Sequence, residues 1–451
     1  MKTALELQKL YFNENKTKDI VFRKETLTNL YNNLENFEQE IFDAFKKDLG
    51  KSEFESYTTE LGYIKKSITH TLKNLNKWTK RKKVKTPWYL FGNKSYIYKE
   101  PLGHVLIISS FNYPLQLLFE PLIGAVASGN VVSIKPSEYV PNINKVIRKI
   151  IESSFARGHV NIYEGGVEVT QSLLEYKYDH IFFTGSEKVG KIVYQKASQH
   201  LTPVTLELGG KSPAIIFEDA NIYKIIDSII WGKFTNAGQT CVAPDYVLVE
   251  ASQKDKFIKA AIASIQKLYG HNIEENSDYG RIISKRHHDR LINLRDLHAN
   301  DIVYGGEAKG LYFEPTLLDI KDISSPIMSE EIFGPILPII TFDKSPIEVI
   351  KVHKDPLALY VFTDDKKKYQ KIINEVPFGG GMVNNTLMHL SNPNLPFGGR
   401  GSSGMGKYHG SYSIDTFSHT KSIMFSNFKF KDSLVLPPFK NKLSIIKKIL
   451  K

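Results

Sequence analysis

Cysteine is almost missing from this chain of 451 residues: Cys241 is the only one. A lone thiol cannot close an internal disulfide, and it cannot supply the several thiolates of a cysteine-rich zinc site. It is left as an inert buried group or a nucleophile. So little cysteine fits a reducing compartment, so a cytoplasmic protein is expected. Long apolar runs are also missing, since nothing approaches the roughly 18 residues that a membrane-spanning helix needs. Glu6 and Lys9 break the apolar stretch that a secretory signal would require near the start. The thirteen histidines show no His-Glu-x-x-His or other ligand spacing, and the adjacent His287 and His288 cannot share a helix face. No metal site is expected.

What is present reads as globular. Hydrophobic residues make up 41% and charged residues 24%, ordinary values for a folded chain. The length calls for two or three domains. The net charge is +12, but it is unevenly placed. Between Phe428 and Lys451, seven lysines face one acid, Asp432, a local excess of six. A second cluster, Lys80 to Lys85, sits in a connector. Such runs are solvated surface by default, and no zinc-finger or RNA-recognition pattern accompanies them. Nucleic acid is therefore not expected as a partner.

The hydrophobic rhythm divides the chain. From residue 1 to about 83 it is helical, with Leu27, Leu30, Tyr31, Leu34 and Phe37 at steps of three and four. Trp88 to Tyr98 reads as two short strands turning at Gly92-Asn93. From Gly103, strands and helices alternate. Strands are expected at 104–109, 131–135, 160–163, 180–184 and 203–208, with helices at 114–128, 141–155 and 187–199. A new strand at 213–217 and a helix at 221–234 begin a second such unit. Repeated βαβ units imply parallel sheets covered on both faces, with ligands beyond the carboxyl ends of the strands.

Several residues in this frame could carry chemistry. The run Gly185-Ser186-Glu187-Lys188-Val189-Gly190-Lys191-Ile192 nearly matches a P-loop, but Ile192 cannot hold magnesium where Ser or Thr is required. It remains a strand-to-helix turn whose free N–H groups suit a pyrophosphate, or a simple glycine turn. Lys135 and Glu138 close another strand and could bind ribose hydroxyls, or merely face solvent. Asn112 precedes a helix and could donate to an oxyanion, or act as an ordinary turn residue. Glu207, among apolar neighbours before Gly209-Gly210, would have its pKa raised towards that of a general base if buried. Glu331 lies in a second apolar setting. Cys241 closes Gly238-Gln239-Thr240-Cys241.

Taken in order, these residues resemble the aldehyde dehydrogenase superfamily over roughly residues 5 to 425. The motifs are Phe183-Thr184-Gly185-Ser186, Leu206 to Pro213, and Glu330-Glu331-Ile332-Phe333-Gly334-Pro335. Gly238 to Tyr246, Leu395-Pro396-Phe397-Gly398-Gly399 and Ser403 to Gly410 resemble its class 3 branch, which handles medium- to long-chain and aromatic aldehydes. The chain is also similar to bacterial fatty- and carotenoid-aldehyde dehydrogenases.

The resemblance implies an α/β fold: two parallel-sheet domains, Rossmann-like and catalytic, plus a small β oligomerisation arm. It places an NAD(P)-binding domain at 1–83 and 103–209 and a catalytic domain at 210–410. Bridging strands fall at 84–102 with about 411–427, and a basic amphipathic tail at 428–451. It implies Cys241 as nucleophile, Asn112 with the Cys241 N–H as oxyanion donors, and Glu207 as the base that activates water. Lys135 and Glu138 would bind the adenosine ribose, Gly185 and Ser186 the pyrophosphate, and Glu331 the nicotinamide ribose, with Phe333 beside the nicotinamide. Tyr113 and Phe397 would line the substrate pocket. A homodimer and either NAD or NADP are implied.

Two residues depart from the family pattern. Arg400 stands where a small or apolar residue is usual, and Asn385 where Asp often follows Asn384. Two other functions stay in view: acyl transfer to coenzyme A, which the water-activating Glu207 argues against, and a non-catalytic basic protein. The tail Leu443 to Lys451 could rest on an anionic membrane surface or simply be solvated.

Overall fold

The computed structural model describes residues 2–426 and 435–450. Residues 428–434 and 451 of the expected tail lie outside the described residues.

The strand His104–Ile108 shows why the first sheet forms. Val105 and Ile107 belong to one buried cluster and Leu106 and Ile108 to another. A strand apolar on both faces must be covered on both. It sits inside a six-stranded sheet ordered Gly404–Met405, Val204–Glu207, His180–Thr184, His104–Ile108, Val131–Lys135, Val160–Ile162. The last five are parallel. Helices Ile20–Asn36, Glu38–Leu49 and Gly62–Thr79, with Gln116–Ser128 and Pro141–Ser154, cover one face, whereas Leu5 of the helix Lys2–Asn13 packs on the other. Val167–Leu174 and Glu187–Ser198 cover the other. Chain order reverses at His104–Ile108, which opens a crevice between its carboxyl end and that of His180–Thr184. Ligand loops are expected there.

The second sheet has seven strands in the order Ile302–Tyr304, Thr316–Asp319, Ile336–Phe342, Tyr246–Glu250, Pro213–Ile216, Ala358–Phe362, Gly380–Val383. Only the pairing of Ile302–Tyr304 with Thr316–Asp319 is antiparallel. Helices Ile222–Phe234 and Lys254–Tyr269 pack on it in the largest cluster. The expected α/β architecture with parallel sheets is present.

Three local outcomes differ from the sequence reading. Trp88–Leu90 is a 3-10 turn, not a strand, and the hairpin pairs Lys82–Val84 with Lys94–Pro101. Pro87, without an N–H, ends the ladder before the aromatic run. Ser418–Phe425 adds to the other side of Lys94–Pro101, from Ser418↔Pro101 to Phe425↔Lys94. The helix expected from Pro114 starts at Gln116, because Glu60 accepts the N–H groups of Leu115 and Gln116 at 3.0 Å each. Gly404–Met405 crosses back from the second unit and pairs antiparallel with Glu207 and Leu206.

Candidate active site

The two sheets present opposite ends to one another. Asn112 and Ser186 follow strands of the first sheet, whereas Lys211, Cys241 and Glu331 precede strands of the second. Two cavities of about 540 and 600 Å³ occupy this region and share Ser110, Phe111, Thr184, Gly185, Ser186, His287 and Arg290 in their walls. They form one channel. Cys241, Asn112, Glu207, Glu331 and Phe333 line the first section. Lys135 and Glu138 line the second.

The nucleophile loop is held in an uncommon backbone form. Asn236, Ala237 and Gly238 have φ of 54, 51 and 74° in succession. The left-handed region is costly for residues with a Cβ. A Cβ on Gly238 would also lie 2.4 Å from the Gly334 oxygen, so that position requires glycine. Side chains hold the turn together. Gln239 Nε2 donates to Asn236 O at 3.0 Å and Arg281 O at 2.9 Å, while its Oε1 accepts Ile283 N–H at 3.0 Å. The Asn112 amide donates to Gln239 O at 3.0 Å. An amide carries two N–H groups, so one remains for a ligand. Cys241 follows, half-buried. Burial first, then the Glu331 and Glu207 carboxylates, raises its pKa, and the Cys241 and Val242 N–H groups lower it.

Glu207 is 2% exposed. Both carboxylate oxygens are buried without a hydrogen-bond partner. Burial pushes its pKa well above the usual carboxylate range. Glu331 rises to about 8, chiefly by burial and then by Asp245, with the Gly210 N–H and Lys211 opposing. Its carboxylate packs where a Cβ on Gly209 would sit, which accounts for glycine there. Phe333 has φ 50° and meets Phe111 edge-on at 5.8 Å.

On the other side of the channel, Ser186 caps the helix Glu187–Ser198, its side chain accepting from Val189 N–H. Lys135 is 2% exposed; its Nζ donates to Glu138 at 3.1 Å and to Pro136 O at 3.0 Å. A helix N-terminus with a lysine–carboxylate pair deeper in the channel suits a dinucleotide, whose pyrophosphate needs N–H donors and whose ribose needs both donor and acceptor. The unpartnered Glu207 oxygens beside the thiol leave a proton acceptor where the reacting end would lie.

Tyr113 and Phe397 line neither cavity section. The Tyr113 hydroxyl is 2.7 Å from Thr240 Oγ1. Phe397 stacks on His409 at 5.3 Å and touches both large apolar clusters. Arg400 pairs with Asp355 at 2.9 Å. Asn384, at φ 60°, holds Thr363 N–H and O at 2.9 and 3.0 Å, so this contact does not need an aspartate at 385.

Sequence reasoning missed the charges beneath the loops. Lys211 Nζ lies 2.6 Å from buried Asp245, whose other oxygen accepts Ile332 N–H at 3.0 Å. Lys233, 1% exposed, is pushed down to about 8 by burial. Lys51 and Glu60 form a pair at 2.7 Å with no side-chain exposure. For Lys233, a lysine inside the otherwise apolar stripe of the helix Ile222–Phe234 was the one available signal. Among the described residues, no group of three His, Cys, Asp or Glu side chains could hold a metal.

Comparisons with known proteins identify the family. The model of the aldehyde dehydrogenase family matches residues 1–423. The chain is 52% identical over 447 residues to a 4,4'-diaponeurosporen-aldehyde dehydrogenase of Staphylococcus aureus, covering 98% of this chain and 97% of that one. It is 41% identical over 418 residues to a dimeric NADP-preferring aldehyde dehydrogenase of Mus musculus, covering 92% of each. A solved structure of the substrate-bound state of Staphylococcus aureus AldH superposes with a TM-score of 0.98 at 51% identity, over 100% of this chain and 99% of that one. The chain therefore belongs to the aldehyde dehydrogenase family, as an enzyme dependent on NAD or NADP.

Proposed function

We propose that the protein oxidises an apolar aldehyde to its carboxylic acid through a covalent bond to Cys241. The observation that carries this reading is the shared cavity: a lone thiol facing a buried glutamate whose two oxygens have no partner. The Cys241 thiolate attacks the aldehyde carbon to give a thiohemiacetal, whose oxyanion accepts from the free Asn112 N–H and the Cys241 backbone N–H. An oxidised nicotinamide, when bound, would supply the hydride acceptor. Loss of hydride leaves a thioester on Sγ. Glu207 removes a proton from water, the resulting hydroxide adds to the thioester, and the acid leaves as the thiolate is restored. Lys135 and Glu138 would hold the adenosine ribose, Gly185 and Ser186 the pyrophosphate, and Glu331 the nicotinamide ribose, with Phe333 near the nicotinamide end. Tyr113 and Phe397 shape the substrate side from behind the cavity wall.

The substrate class proposed is medium- or long-chain, aromatic or carotenoid, as the name of the Staphylococcus aureus relative suggests. A Cys241→Ser variant assayed with decanal and either cofactor should lose at least about a thousandfold in rate. Full speed in that variant would overturn the reading. Turnover that needs added coenzyme A would favour acyl transfer over hydrolysis.

We assign cofactor binding to residues 1–83 and 103–209 and catalysis to 210–410. The strands within 84–102 and 411–427 are assigned to a homodimer contact. Ser418–Phe425 supports the last assignment: it is a sheet edge, with Ile423, Met424 and Phe425 exposed. Leu443–Ile449 is an exposed basic helix that we assign to peripheral contact with an anionic membrane.

A further inference from the structure

Three charged residues of the N-terminal helical region, Lys51 in a connector and Glu55 and Glu60 in helical turns, reach under the site from a distance in sequence. Lys51 Nζ donates to Glu60 Oε1 at 2.7 Å and to the backbone oxygen of Asn112 at 3.1 Å. It lies 4.1 Å from the Tyr113 ring centre. The other Glu60 oxygen accepts Leu115 and Gln116 N–H, so Lys51 and Glu60 grip the residues on both sides of Tyr113. Glu55 accepts Asn236 N–H at 3.0 Å, and Asn236 Nδ2 returns to Asn112 O at 2.8 Å. Asn112 O thus receives donors from the ion pair and from the nucleophile loop. The two loops are tied at one oxygen.

A wholly buried ion pair is poor evidence for stability, because removing both ions from water costs about as much as their attraction returns. This one sits where two left-handed residues, Asn236 and Ala237, store strain. Its acid also lies in the π-helical turn Tyr57–Leu61, a rare form frequent at functional sites. The charges are placed where they fix Asn112 and the nucleophile loop relative to each other.

We propose that Lys51, Glu60 and Glu55 form a buried clamp of positioning residues that aims the Asn112 amide and the Cys241 loop at the same substrate oxygen. The inference rests on the reading of Asn112 as the oxyanion donor. The clamp touches neither substrate nor cofactor; it acts through Asn112 and Asn236.

The test compares Lys51→Met/Glu60→Gln, which removes both charges together, with Asn112→Ala and with the triple variant. Stopped-flow gives the burst of cofactor reduction, single-turnover decay gives thioester hydrolysis, and fluorescence titration gives cofactor affinity. The clamp predicts a burst about ten- to a hundredfold slower in Lys51→Met/Glu60→Gln, the range of a lost charge-assisted hydrogen bond. Cofactor affinity should stay unchanged, whereas thioester hydrolysis should slow as well, because its tetrahedral intermediate carries an oxyanion on the same oxygen. In the Asn112→Ala background the two further changes should cost clearly less than in the natural chain, since only their hold on the nucleophile loop remains to be lost.

A normal burst in the folded double variant, with Asn112→Ala slow, overturns the clamp and leaves the reaction scheme standing. A normal burst in Asn112→Ala removes the oxyanion assignment and the clamp with it. Additive losses also overturn the clamp, since they mark general structural damage. If the double variant does not fold, Glu55 decides. Glu55→Ala should slow the burst, and Glu55→Gln, which keeps an acceptor for Asn236 N–H, should restore it. Equal rates in all three proteins refute the clamp.

Discussion

Single residues set the pH behaviour of the site. Glu331 rises from 4.5 to about 8, mainly through burial. A carboxyl with a raised folded-state pKa holds an extra proton in the fold, so its contribution to stability falls as pH climbs from about 4.5 to about 8. Thermal melts should therefore show Glu331→Gln gaining on the natural protein between pH 5 and 9, with little difference at the acid end. A constant gap across that range would refute the burial argument. Glu207 shifts in the same direction, and a base works only when deprotonated. Thioester hydrolysis should accelerate with rising pH well beyond the usual carboxylate range, and Glu207→Gln should abolish that rise. Single-turnover decay against pH measures it. The lone Cys241 and the acid before Gly209-Gly210 were legible as candidates in the sequence. That both Glu207 oxygens lack partners was not, because it depends on what the fold packs around the side chain.

At the scale of elements, turns decide more than strands. Gly238 combines φ 74° with a backbone oxygen 2.4 Å from where a Cβ would go. Gly238→Ala should cost at least about 2 kcal/mol, since backbone strain and a clash with main chain combine. Urea unfolding checks this, and a loss below about 0.5 kcal/mol would contradict the tight contact. The five parallel strands of the first sheet were readable within a residue or two, because buried parallel strands are apolar on both faces and bounded by glycine or proline, whereas Gly404–Met405 was not. The hairpin was misread because the aromatics at 88–91 mimic a strand, whereas Pro87 removes a donor the ladder needs. The short helix Val167–Leu174 was missed, since eight residues after a glycine pair leave little periodicity. The clamp was illegible for a different reason: its partners are 61 and 181 residues apart in sequence.

For the whole molecule, the arrangement of two sheets end to end makes one channel, with the proposed dinucleotide site on the first and the thiol on the second. The exposed edge Ser418–Phe425 carries the dimer proposal. Ile423→Lys with Phe425→Lys should sediment as a monomer where the natural chain sediments as a dimer; equal masses would end the proposal. Among the described residues no helix is long and apolar enough to cross a membrane. Full-length protein should pellet with anionic liposomes while a version ending at Asn427 stays in solution, and equal recovery of both would remove the tail assignment. The central claim is covalent, and intact-protein mass spectrometry tests it most directly. Glu207→Gln, mixed with decanal and oxidised cofactor and quenched in acid, should gain the mass of one acyl group, mapped to the peptide that holds Cys241. Steady turnover in that variant with no added mass on the thiol would contradict the account.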